Sequence, residues 1–182
     1  MFERFTKGAR DVVTDAVTRA ERMESPQVTE EHMLLALLDS RGTRSAFAFA
    51  SLGILDRRDS VEAGLADARR QGGLSKADTA ALADIGIDVS QIVSKVEEAH
   101  GAGAMGAGGK AKRGWASKKF TPAAKETLEQ SLRVALGRGD KEINDGHILL
   151  ALTARPGVVA DVLADHGGTY GAVERVLFGE GA

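Results

Sequence analysis

The chain has 182 residues, with 24 lysines and arginines against 26 aspartates and glutamates, a formal charge of −2 and no cysteine. A chain of this size buries about 70% of the surface its unfolded form exposes, enough to fold without a disulfide or a metal; the missing thiols exclude disulfides, thiolate metal sites and a cysteine nucleophile. The near balance of charge excludes a general polyanion binder, and abundant alanine and leucine with few aromatics favour helices.

The first residues, Met1-Phe2-Glu3-Arg4-Phe5, lack the basic start and apolar run of a signal peptide. The longest strongly apolar run, 33–38, is too short to span a membrane. A soluble cytoplasmic protein is expected. Thr6 stands where a helix N-cap belongs, and Phe5, Ala9, Val12, Val13, Ala16, Val17 and Ala20 recur at helical spacing on an otherwise charged helix. Thr29 is the next N-cap and opens a short, nearly all-apolar helix, TEEHMLLALL, which belongs at the centre of its unit. A third helix is expected over 43–52, ending at Gly53. Residues 55–83 read as an insertion of two amphipathic helices, near 59–70 and 75–83, broken at Gly72-Gly73. A fourth helix follows over 88–99, and the glycine-rich, lysine-rich stretch 101–119 reads as a flexible linker.

From Phe120 the chain repeats itself. Residues 5–37 lie over 120–152 without a gap: Phe5-Thr6 meets Phe120-Thr121, Ala9 meets Ala124, His32 meets His147, and Leu34-Leu35-Ala36-Leu37 meets Leu149-Leu150-Ala151-Leu152. Pro122 takes the first helical position, where its missing N–H costs nothing, and Asn144 replaces Thr29 as N-cap. One residue is then lost, after which Phe49 and Gly53 align with Leu163 and Gly167, and helices are expected over 157–165 and 169–177. The fold class is therefore all-α: two tandem four-helix repeats, 1–100 and 120–182, with the insertion in the first.

Few constellations carry chemistry. Gly108-Gly109-Lys110 resembles a phosphate-binding loop only in part, because Ala104 replaces its first glycine and Ala111 its Ser/Thr, and no strand precedes it. Lys110, Lys112, Arg113, Lys118 and Lys119 surround Trp115, which supports a nucleic-acid-binding regulator less well than a soluble tether or a contact for an acidic partner. His32 and His147 each lie three residues after an N-cap, a place for a structural histidine bonded to the neighbouring backbone. No serine–histidine–acid spacing suggests a triad, and no motif positions His100 or His166, so neither an enzyme nor a cofactor or metal is expected. Glu31 differs from its partner position, which is Gly146. A carboxylate in the first turn suits the helix dipole, and it also suits a guanidinium guest. The free N–H groups at Thr6 would take an anion. A guest with both charges is a phosphorylated arginine.

These residues resemble the Clp N-terminal repeat domain found at the front of ClpC-type AAA+ unfoldases. The motifs are Met1-Phe2-Glu3-Arg4-Phe5-Thr6, then 29–38, Phe120-Thr121-Pro122 and 147–152. The resemblance implies two helical repeats about a pseudo-twofold axis. It also implies capture of clients and adaptors, including recognition of phosphoarginine with one pocket per repeat. On that basis Glu31 and Thr6 form the first pocket, while Thr121, Asp145 and Gly146 form a degenerate second one. In the actinobacterial branch the domain also docks cyclic-peptide antibiotics, and Phe2, Phe120 and Lys125 resemble that surface. Without Walker motifs, the chain resembles stand-alone double-repeat proteins that lack a motor. The expected function is a non-catalytic binding module of Clp proteolysis, acting as decoy, sequestering protein or regulator. Its expected partners are phosphoarginine-marked or unfolded clients, cyclic-peptide antibiotics, and the Clp ATPase or its adaptors. An adaptor that docks directly on the ATPase is the alternative within the same system.

Overall fold

A computed structural model describes residues 2–106 and 119–179, the side chain of residue 2 excepted. A 3-10 turn, Phe2–Arg4, leads into α1 (Lys7–Arg22), β1 (Gln27–Val28), α2 (Glu30–Asp39) and α3 (Arg44–Ser51). A second 3-10 turn, Leu55–Arg57, runs into α4 (Arg58–Arg70), followed by α5 (Lys76–Asp84) and α6 (Val89–His100). The second copy comprises β2 (Lys119–Phe120), α7 (Pro122–Gly137), α8 (Asp145–Ala154), α9 (Val158–Asp165) and α10 (Tyr170–Phe178). The basic tether residues Lys110, Lys112, Arg113, Trp115 and Lys118, and the partial phosphate-loop motif at Gly108-Gly109-Lys110, lie outside the described residues.

The helix starts follow their capping residues. Thr6, Thr43, Ser75, Asp88, Thr121, Asn144 and Thr169 each accept a backbone N–H two or three residues on, which satisfies donors that no helical carbonyl can reach. The central helices α2 and α8 are buried from His32 to Leu38 and from Asp145 to Leu152. Helices α1, α3, α7, α9 and α10 pack against this pair, and α1 lays its apolar face there, which explains why α1 is amphipathic and α2 is not.

The repeats exchange their leading segments. β1 pairs in parallel with β2, with Val28 opposite Phe120, and the isolated bridge Phe5–Ile143 is its symmetry counterpart. The Thr121 N–H donates to the Val28 carbonyl at 2.9 Å, and the Thr6 N–H donates to the Ile143 carbonyl at 2.9 Å. Each repeat's first N-cap therefore sits beside the other repeat's central helix.

Two sequence expectations change here. The fourth helix of the first repeat is α4, inside the predicted 55–83 insertion, and not α6. Helix α4 lies on α9 as α10 lies on α3, and its Val61 and Leu65 belong to the main core, whereas the buried Val89 and Val93 of α6 do not. The addition to the repeat is thus the α5–α6 hairpin. The predicted linker also starts later than 101. Residues 101–106 fold back on the end of α4, where the Gly103 N–H donates to Glu97 at 2.8 Å and a Cβ at position 106 would meet the Arg69 carbonyl oxygen at 2.7 Å. Only glycine fits that approach without a shift.

A candidate guanidinium pocket in the first repeat

The start of α2, the end of α4, the start of α9 and the 23–26 turn enclose a cavity of about 680 Å³. Four carboxylates line it, those of Glu24, Glu30, Glu31 and Asp78, and Arg69 is the only arginine or lysine among its described lining residues. Glu31, with 13% of its side chain exposed, is ion-paired with Arg69 from the last turn of α4. Burial lowers the Arg69 pKa, although 42% of its side chain remains exposed. Glu30 accepts a hydrogen bond from the Thr127 hydroxyl of α7 at 2.9 Å. Asp78 closes the capping box of α5 with Ser75, whose hydrogen bonds lower its pKa.

Two backbone features open toward the same space. Gly157 is the N-cap of α9 and no side chain among the described residues caps that helix, so its first N–H groups face the cavity wall. Glu24 has φ 52°, the only non-glycine residue with positive φ among those described. It follows the C-cap of α1, where the chain turns left-handed, and the corresponding residue of the second repeat is Gly139 with φ 75°. A left-handed conformation costs a non-glycine residue about 1 kcal/mol, and this one places a carboxylate at the cavity.

The corresponding corner of the second repeat is packed shut. A Cβ on Gly146 would meet Asn144 Oδ1 at 3.0 Å, Leu177 Cδ2 at 3.2 Å and Arg44 Cβ at 3.4 Å, so a glutamate there requires these side chains to give way by a few tenths of an ångström. Asp145 is 4% exposed and its Oδ2 accepts the Ser45 N–H at 2.7 Å, while the Thr43 hydroxyl accepts the Ala46 N–H at 3.2 Å. The start of α3 is thus doubly capped where its counterpart α9 is bare. Asp145 serves as a cap between repeats and offers no open carboxylate. What remains is a cleft of about 310 Å³ lined by Thr43, Arg44, Phe47 and Leu177.

The two histidines complete capping boxes. The Thr29 N–H donates to His32 Nδ1 at 3.0 Å, and the Asn144 N–H donates to His147 Nδ1 at 3.1 Å. With Nδ1 as acceptor, the His147 proton resides on Nε2, which donates to Asp140 at 2.8 Å. The ring stacks on Phe178, with centroids 5.5 Å apart, and Arg138 lies over the same phenylalanine at 3.8 Å. Burial is the main cause that lowers the His147 pKa, outweighing Asp140.

Thr6 and Thr121 each cap their own helix, through the Ala9 N–H at 3.3 Å and the Ala124 N–H at 3.2 Å, and neither lines the cavity. Strand exchange carries Thr6 to the Asp145 side, where the nearest Asp145 oxygen is 3.9 Å from a Cβ built on Gly8. Thr6 and Glu31 therefore do not share a pocket as expected. Phe120 is half-buried against the core, Lys125 is exposed on α7, and the Phe2 side chain lies outside the described residues, so no aromatic groove of the three is defined. The residues missed by sequence reasoning are Arg69, Gly157 and Glu24. Glu24 and Gly157 carried a signal, since the other copy has Gly139 and Thr43 at those positions.

Among the described residues no cluster of His, Asp and Glu has the geometry to hold a metal ion, and no single helix is long and apolar enough to cross a membrane. The chain is similar to the N-terminal domain of the caseinolytic protease associated chaperone ClpD from Arabidopsis thaliana, at 17% identity over 97% of this chain and 96% of that one, with a TM-score of 0.53. It is also similar to a structure from a malarial protein secretion system, at 14% identity over 96% and 92% of the two chains, again with a TM-score of 0.53. These likenesses establish a shared fold. The sequence itself matches the Clp repeat (R) N-terminal domain over residues 4–78 and 119–180, a span that includes α4 and both central helices and leaves out α6. With two exchanged helical repeats around α2 and α8, the chain belongs to the Clp repeat N-terminal domain family.

Proposed function

We propose that this protein is a non-catalytic binding module of the Clp proteolysis system. It captures client segments that carry a phosphorylated arginine and acts as a decoy, sequestering protein or regulator of the unfoldase. The observation that carries this reading is Glu31, a largely buried carboxylate in an acidic cavity, already paired with a guanidinium. A carboxylate receives a guanidinium through two parallel hydrogen bonds, which a lysine cannot reproduce. The uncapped start of α9 lies in the same cavity and suits the phosphoryl group, a role once expected of the Thr6 helix end.

Isothermal titration with free phosphoarginine tests the reading. One site is expected. Glu31→Ala is expected to weaken it by about 10- to 100-fold, the cost of losing a charge-assisted bond of ~1.5–3 kcal/mol. Thr6→Ala is expected to leave affinity unchanged. Two equal sites, or none, would overturn the assignment.

A further inference from the structure

We infer that Arg69 is a resident competitor for its own pocket: the site takes an arginine side chain offered by a client only when Arg69 leaves Glu31, and the α5–α6 hairpin latches Arg69 in place. This rests on the reading of the cavity as a guanidinium site. Arg69 and Arg70 are adjacent in the last turn of α4 and point to different partners. Arg69 pairs with Glu31 inside the cavity. Arg70 makes a two-pronged bond to Glu97 of α6, Nε to Oε1 at 2.7 Å and Nη2 to Oε2 at 2.6 Å. Glu97 also accepts the Gly103 N–H, and Gly106 closes against the Arg69 carbonyl. The end of α4 is therefore held from the hairpin side while its guanidinium occupies Glu31. A guest with the same chemistry meets Glu31 already neutralised, and its apparent affinity falls by the fraction of molecules in which Glu31 is vacant. With Arg69 away, the lining carboxylates Glu24, Glu30 and Asp78 leave the cavity more negative, which favours arginine amide, a cation, over phosphoarginine.

Phosphoarginine and arginine amide would be titrated separately into the full chain, Arg69→Ala, Glu97→Ala and Glu31→Gln, with circular dichroism confirming the fold. Arg69→Ala is expected to bind both probes about tenfold tighter than the parent, the gain if Glu31 is vacant in roughly one molecule in ten of the parent. Glu97→Ala, which keeps Arg69 and frees the end of α4, is expected to bind about threefold tighter on the same arithmetic. Glu31→Gln is expected to weaken both by about 10- to 100-fold. If Arg69→Ala unfolds the chain, Arg69→Gln replaces it, with the same expectation. Equal or weaker binding by the Arg69 variant, with Glu31-dependent binding in the parent intact, overturns the competitor and leaves the proposed function standing. Absence of binding in every protein overturns both.

Discussion

In the first repeat the start of the central helix looks onto an acidic cavity; in the second the same corner is filled by Leu177, Asp145 and Thr43. Three exchanges make the difference. Glu31 faces the cavity where Gly146 lets α10 close on α8. Gly157 leaves α9 bare where Thr43 caps α3, helped by Asp145, while its counterpart Glu30 turns to Thr127 instead. Glu24 accepts a left-handed backbone where Gly139 adopts it freely. None of these lies in the shared core. The comparison teaches that a duplicated fold keeps its apolar core alike, because both copies must fill one interior, and diverges at the helix ends around it.

The comparison can be broken at its symmetric part first. Leu34 and Leu149 are equivalent and fully buried, so Leu34→Ala and Leu149→Ala are each expected to cost ~2–5 kcal/mol in urea unfolding. A much smaller cost on one side would mean that the repeats do not share one cooperative core. Gly146→Glu comes next. It is expected to destabilise by ~2 kcal/mol through overpacking, and Leu177→Ala in the same chain should recover part of that. A Gly146→Glu protein of unchanged stability with a second phosphoarginine site would refute the closed corner.

Removing the carboxylates one position earlier separates the repeats again. Asp145→Ala is expected to cost ~1.5 kcal/mol by uncapping α3, and Glu30→Ala less than about 0.5 kcal/mol, because the Thr127 hydroxyl keeps its bond to the Ala123 carbonyl. Glu24→Gly should raise stability by ~1 kcal/mol by relieving the left-handed glutamate, while weakening any cationic guest. Thermal melts that fail to rise would show that the turn is not strained.

The smallest expected effect concerns pH and the second repeat alone. The folded pKa of His147 lies below its ordinary value of 6.5, so the unfolded chain takes up the proton first. The stability from the neutral ring is complete above the ordinary value and is lost as pH falls through the lower folded value. His147→Gln should flatten that slope in melts between neutral and mildly acidic pH, and an unchanged slope would assign it elsewhere.

Much of the fold was legible because it rests on local signals. Thr6, Thr29, Thr121 and Asn144 announce helix starts through their own side chains, and the apolar run after His32 recurs after His147. Helix α4 was visible as an amphipathic stretch, but its place was not. An apolar stripe states that a face is buried without stating against what, and only packing showed Val61 and Leu65 in the main core while α6 stays outside it. The site was half legible. Glu31 stood out because a duplication supplies its own comparison.

By itself the sequence determined an all-helical, duplicated chain with two buried central helices and, at the start of the central helix, a glutamate that the second copy lacks. These properties depend on periodicity and capping, which act over a few residues. Only the tertiary structure decided that the repeats exchange their leading strands, which separates Thr6 from Glu31 and sets each beside residues of the other repeat. Only packing brought Arg69 across 38 positions to Glu31 and left the start of α9 uncovered beside it. Pairings between residues so far apart depend on how whole helices settle on a common core, and no local pattern records that outcome.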